Sequence, residues 1–200
     1  MENWEIWVFA VAAFIGSYLI GSVSFSILIS RFLVLPDPRT IGSGNAGATN
    51  VLRTGNKLAA LFTLIGDLLK GFIPVAIVRY ANPPVEVVFA AMLGTFLGHL
   101  YPVYFDFKGG KGVATALGIL IGLNLKLGLS MVGIWVLVVA ITRLSSLASI
   151  IVALASPAAA FIWMGQSWAV AVGILSILQL YRHRYNIVRL LRREESRIAL

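Results

Sequence analysis

The chain has 200 residues, 59% of them hydrophobic and 12% charged, with a mean hydropathy of +0.91; a soluble domain carries about 25% charged residues, so one water-soluble core is excluded. There is no cysteine, which removes disulfides, thiolate catalysis and cysteine metal sites, and the two histidines, His99 and His183, form no H-E-x-x-H, so no metal is expected. The net charge of +8 would suggest nucleic acid in a soluble protein, but in a chain this apolar it reads as membrane orientation and lipid contact, with no nucleic-acid partner.

The apolar runs are continuous rather than alternating, which selects helices over a barrel. Taken in chain order they predict seven spans: Ile6–Phe32, Leu58–Arg79, Val85–Phe105, Val113–Leu125, Leu127–Thr142, Ser146–Met164 and Ser167–Tyr181. The fourth and fifth are short and could instead form one helix over 113–142. Asn124-Leu125-Lys126 argues for a turn, because a lysine at mid-bilayer is costly. The expected fold is therefore an all-α, polytopic membrane helix bundle forming a single domain. With the N-terminus outside, 13 of the 16 Lys and Arg fall inside, as the positive-inside rule requires. Merging the fourth and fifth spans would put the basic tail outside. The acidic start, Met1-Glu2-Asn3-Trp4-Glu5, suits an outside terminus and not a cleaved signal peptide. The polar connections, 36–57, 106–112, 143–149 and 182–200, then all lie on the cytoplasmic face.

The first of these contains Ile41-Gly42-Ser43-Gly44-Asn45-Ala46-Gly47-Ala48-Thr49-Asn50, then Arg53. Its glycines permit positive φ and close backbone approach, so successive N–H groups can converge on one anion. Ser43, Asn45, Thr49 and Asn50 add neutral hydrogen-bonding groups, and Arg53 a bidentate donor. The bland alternative is a flexible turn-rich loop. No G-K-[ST] follows, so this is not a Walker A loop. Within the second span, Asp67 and Lys70 are spaced i, i+3, which reads chiefly as a structural ion pair.

The next connection runs from His99 through Asp106-Phe107-Lys108-Gly109-Gly110-Lys111-Gly112 to Thr115. It delivers glycines and lysines to a helix N-terminus, where free N–H groups favour phosphate; the alternative is a membrane-edge turn. His99 reads as a structural hydrogen-bonder rather than a base. Arg143-Leu144-Ser145-Ser146-Leu147-Ala148-Ser149 offers hydroxyls, either for a substrate or for helix packing. In Tyr181-Arg182-His183-Arg184-Tyr185-Asn186, His183 and Asn186 share a helix face. The basic tail beyond Arg189 reads as mostly lipid-contacting.

Together these segments resemble the bacterial acyl-phosphate:glycerol-3-phosphate acyltransferase family over nearly the whole chain, most specifically at Gly42–Asn50, His99–Thr115 and Arg182–Asn186. The resemblance implies seven spans, a cytoplasmic-side site, acyl-phosphate as donor and glycerol 3-phosphate as acceptor, with no cofactor. It implies lysophosphatidic acid as product, at the start of phospholipid synthesis, with membrane lipid and the enzyme supplying acyl-phosphate as further candidate partners. It places Lys111, His183 and Arg53 as catalytic. Gly42, Ser43, Gly44, Asn45, Gly47, Thr49, Asn50, Lys108, Gly109, Gly110, Gly112, Thr115, Ser149 and Asn186 are expected to bind substrate.

The H-x-x-x-x-D signature of other glycerolipid acyltransferases is absent, since Tyr104 stands where the acid would follow His99. No Ser-His-Asp set is apparent. A mixed anhydride is already activated, so orientation and charge stabilisation are the main demands, and the base is either His183 or the acceptor's own phosphate. A transporter or lipid-binding scaffold is the rival class, but a carrier places its site near mid-bilayer.

Overall fold

The computed structural model describes residues 3–198. Among them it is entirely helical, with no strand. In chain order the helices are α1 (Asn3–Gly21), α2 (Phe25–Phe32), α3 (Ala48–Leu52), α4 (Lys57–Tyr80), α5 (Val85–Leu100), α6 (Val113–Leu123), α7 (Leu125–Thr142), α8 (Ser145–Met164), α9 (Gln166–Arg182) and α10 (Arg184–Leu191), with a 3-10 turn at Val103–Phe105. The chain divides into two compact units, Met1–Leu123 and Asn124–Leu200.

Among the described residues, five stretches are long and apolar enough to cross a bilayer: Trp4–Phe32, Lys57–Tyr80, Val85–Phe105, Leu125–Thr142 and Ser145–Met164. The 11-residue α6 is about 17 Å long at 1.5 Å per residue, against a hydrocarbon layer of about 30 Å. Large apolar side chains point outward: Trp7, Phe62, Val136, Ile162 and Ile177 are all exposed by more than half. Water would penalise that surface; lipid would not.

In the first unit the stretch expected to span over 6–32 consists of two helices, interrupted at Ser22–Ser24. A helix end leaves backbone donors or acceptors unpaired, and at membrane depth each needs a protein partner. The intramembrane ion pair supplies them. Lys70 Nζ donates to the Val23 carbonyl at 2.6 Å, and the Asp67 carboxylate accepts the Phe25 N–H. The two charges meet at 2.8 Å with side chains 3% and 4% exposed, so the pair is structural, as its spacing suggested. Elsewhere the helices approach through small residues. A Cβ at Gly94 or Gly98 would strike the backbone of α1, and one at Gly71 the Thr115 carbonyl of α6.

The second unit opens at Asn124, whose side chain accepts from Leu127 N at 3.1 Å and caps α7. This is where the sequence placed its turn. Helices α7, α8 and α9 are joined by buried polar contacts. Trp135 Nε1 donates to Ser149 Oγ at 3.2 Å, Gln179 Nε2 to the Ser149 carbonyl at 3.1 Å, and the Ser156 and Ser176 hydroxyls lie 3.3 Å apart. The tail beyond Arg189 carries structure of its own. It folds back, with Ile198 N donating to the Arg143 carbonyl at 2.8 Å and Glu195 turned onto α10.

Candidate active site

The first glycine loop is built around Asn50. This side chain is 2% exposed and ties three points of the loop together. Its Nδ2 donates to the carbonyls of Pro38 at 2.6 Å and Ile41 at 3.1 Å, and its Oδ1 accepts from Ser43 N at 3.1 Å. Asn50 can occupy this place because α3 is only one turn and delivers it inward. Gly42 and Gly44 have φ of +53° and +66°, the left-handed region that a side chain resists. A Cβ at Gly42 would lie 2.5 Å from Asn50 Oδ1 and 3.0 Å from Arg53 Nη1. The Arg53 guanidinium therefore rests against the Gly42 backbone. Ser43 is exposed, Asn45 and Thr49 are half-buried, and Gly47 precedes α3 in extended backbone.

A second tie holds the approach to this loop. Asp37 and Arg39 form an ion pair at 2.8 Å, Arg39 Nη1 reaches the Phe105 carbonyl at 3.4 Å, and the Arg31 guanidinium stands 5.8 Å from the Phe105 ring centroid. The Arg39 hydrogen bond holds the Asp37 carboxyl below the usual carboxylate range.

The second glycine loop meets the first. A Cβ at Gly110 would lie 2.5 Å from the Ala46 carbonyl and would also strike His99 Nε2. Gly110 N donates to the His99 carbonyl at 3.2 Å. Beyond it Lys111 is half-buried, Lys108 is exposed, and Gly112, at φ +83°, turns the chain into α6. The loops thus bring Gly42, Ser43, Gly44, Asn45, Gly47, Thr49 and Arg53 to one end of the first unit with Gly109 and Gly110. Glycines, Arg53 and two lysines there give backbone donors and positive charge suited to a phosphate.

Two expected ligands sit differently. Thr115 is fully buried, its hydroxyl donating to the Asp67 carbonyl at 3.0 Å and lying 3.1 Å from His99 Nδ1. It is an interior hydrogen-bonder beneath the loop rather than part of its surface. Asn50 commits both ends of its amide to the loop backbone, so in this structure it shapes the loop. His99 is likewise structural, with Nδ1 3.7 Å from Asp67 Oδ1.

In the second unit, His183 closes α9 and precedes α10. It is 2% exposed, and its Nδ1 lies 2.8 Å from the Gln179 carbonyl. A carbonyl only accepts, so Nδ1 carries the proton and Nε2 is the basic nitrogen. Asn186, one turn on, donates to Glu195 Oε1 at 2.6 Å, and Arg189 Nε donates to Glu195 Oε2 at 2.6 Å. Burial raises the Glu195 carboxyl, but these hydrogen bonds outweigh it and hold it below the usual range. Ser149 is buried on α8, donating to the Ser145 carbonyl at 2.7 Å. No group of three or more His, Cys, Asp or Glu that could hold a metal occurs among the described residues.

Residues 11–193 match the family model described as glycerol-3-phosphate acyltransferase. Curated glycerol-3-phosphate acyltransferases are similar along their full length. The one from Nitrosospira multiformis is 52% identical over 94% of this chain and 96% of its own. That from Thioalkalivibrio sulfidiphilus is 50% identical over 95% and 94%. Among solved structures, the glycerol 3-phosphate form of PlsY, an integral membrane glycerol 3-phosphate acyltransferase, superposes with a TM-score of 0.88 at 37% identity, covering 95% of this chain and 96% of that one. Its lysophosphatidic acid form gives 0.86 at 36%. A family-wide match of this length, on a helical membrane architecture with two joined glycine loops, leaves one assignment: the chain belongs to the glycerol-3-phosphate acyltransferase family of integral membrane acyltransferases.

Proposed function

We propose that this protein transfers an acyl group from acyl-phosphate to the 1-hydroxyl of glycerol 3-phosphate. The products are 1-acylglycerol 3-phosphate and inorganic phosphate. The observation carrying this reading is the joined pair of glycine loops, with Arg53 laid along Gly42 and Lys111 leading into α6. Such a cradle suits a phosphorylated substrate. The acceptor named for the PlsY structure, glycerol 3-phosphate, is of that class. Acyl-phosphate suits a site without a nucleophilic cysteine, because its leaving group is already activated.

The hydroxyl oxygen attacks the acyl carbonyl, forming the ester C–O bond. The bond from the carbonyl carbon to the bridging oxygen breaks, and phosphate leaves with both electrons. Lys111, Arg53 and loop N–H groups stabilise the carbonyl oxyanion and the departing phosphate. The hydroxyl proton passes to Nε2 of His183 or to the acceptor's own phosphate. Ser149 and Asn186 keep the substrate-binding role that the family pattern gives them. The topology proposed with this chemistry has seven spans, with the N-terminus outside and the glycine loops facing the cytoplasm of the inner membrane. The concentration of Lys and Arg in the connections assigned to that side supports it.

Purified protein in detergent is given palmitoyl-phosphate with and without glycerol 3-phosphate. Phosphate release that needs the acceptor supports acyl transfer. A folded protein that releases none, yet moves glycerol 3-phosphate into sealed vesicles, would be a carrier instead.

A further inference from the structure

Beneath the glycine loops lies a chain of buried polar groups that the proposed chemistry does not use. It begins at the interruption between α1 and α2, where Lys70 and Asp67 satisfy Val23 and Phe25. It continues through the Asp67 carbonyl, which accepts from the Thr115 hydroxyl at 3.0 Å. That hydroxyl has one proton, and it is committed to Asp67. The 3.1 Å contact with His99 Nδ1 therefore runs the other way, with Nδ1–H donating to Thr115 Oγ1. The proton's position fixes the ring: Nδ1 faces α4 and α6, and Nε2 faces Gly110. The His99 carbonyl holds Gly110 N at 3.2 Å, and neither Gly109 nor Gly110 has room for a Cβ against His99. Thr115, Asp67 and Lys70 are each 4% exposed or less, and His99 6%.

We infer that Thr115 and His99 are positioning residues for glycerol 3-phosphate, setting the height and orientation of the Gly109–Gly110 backbone from the Asp67–Lys70 staple below. This rests on the reading that the glycine loops hold the acceptor's phosphate. The Thr115 hydroxyl spends its proton on the Asp67 carbonyl and its oxygen on His99 Nδ1. Both residues act through the Gly109 and Gly110 backbone, which the His99 carbonyl and ring hold. Such a device has a kinetic signature. Displacing a phosphate cradle weakens acceptor binding and leaves donor binding and the bond-making groups nearly intact.

Thr115→Val removes the hydroxyl and keeps the shape, whereas Thr115→Ser keeps the hydroxyl. The expected result is a KM for glycerol 3-phosphate raised about tenfold in Thr115→Val, with kcat within threefold, an unchanged KM for acyl-phosphate, and near wild-type values in Thr115→Ser. An unchanged acceptor KM in Thr115→Val, or equal losses in both variants, overturns the inference. Should Thr115→Val not accumulate, His99→Asn, which retains a donor near the Nδ1 position, and His99→Ala give the reading. The acceptor KM should rise in the second far more than in the first, and equal values overturn it. Wild-type protein with no acceptor-dependent turnover would instead refute the proposed function, so the two failures are distinct.

Discussion

Replacing Asn50 by Asp exchanges one NH2 for one oxygen and alters no shape, yet it reverses the polarity of the atom on which the first glycine loop closes. The two bonds lost are those to the Pro38 and Ile41 carbonyls, at 2.6 Å and 3.1 Å. The Ser43 N–H contact survives, because Oδ1 remains. With the group 2% exposed, water cannot replace the missing donors. At about 1 kcal/mol net per hydrogen bond, the closed loop loses about 2 kcal/mol relative to open forms. An ionised oxygen set against two carbonyls adds to that, and a protonated one restores only a single donor. Since 1.4 kcal/mol is tenfold, acceptor affinity should fall about thirtyfold. Steady-state phosphate release against glycerol 3-phosphate concentration gives the acceptor KM, and thermal unfolding in detergent verifies that the helices persist. A wild-type acceptor KM in folded Asn50→Asp would refute the idea that this amide builds the cradle.

Lys111→Ala should lower kcat at least a hundredfold, as expected for a cation lost from a developing negative charge; turnover at saturating substrates checks it. His183→Ala should lower kcat by a similar factor, and near-full turnover would leave the acceptor's phosphate as the base. For Glu195 the folded-state carboxyl lies below its ordinary value, so its contribution is present at neutral pH and disappears as the pH falls through the folded value. Unfolding midpoints should therefore drop more steeply on acidification in wild type than in Glu195→Gln. Because the chain has no cysteine, single cysteines at Ser43 and at Lys126 report topology cleanly. A membrane-impermeant maleimide should label the first from the cytoplasmic side only and the second from the opposite side only.

The helical class and most span limits were legible because apolar runs bounded by charge leave few alternatives in lipid. Asn124 was readable as a break for the same reason, since Lys126 follows it. The interruption after Gly21 was hidden. Residues Ser22–Ser24 are small and compatible with a helix, and the groups that satisfy the gap, Asp67 and Lys70, come from a different helix 40 and more positions away. The glycine loops announced themselves by composition, but the division of labour inside them did not. Asn50 and Ser43 are both small polar residues in one loop, and only the fold shows that Asn50 is buried as a tie while Ser43 is exposed. Thr115 was drawn toward the site by its nearness to Gly112, although one helical turn carries it under the loop. The tie through Asp37 and Arg39 had a weak local signal in Pro36-Asp37-Pro38-Arg39, where the residues are close enough to pair. Glu195 had none, because a glutamate within a basic tail looks solvated until the chain returns to Asn186 and Arg189.

The most direct test of the account is the stoichiometry of one reaction in detergent micelles. Purified protein is supplied with palmitoyl-phosphate and glycerol 3-phosphate, with palmitoyl-CoA replacing the donor in a parallel sample. The account predicts one 1-palmitoylglycerol 3-phosphate formed per inorganic phosphate released from the first mixture, and no product from the second. Product from palmitoyl-CoA alone, or phosphate released without acylation of the acceptor, would contradict it.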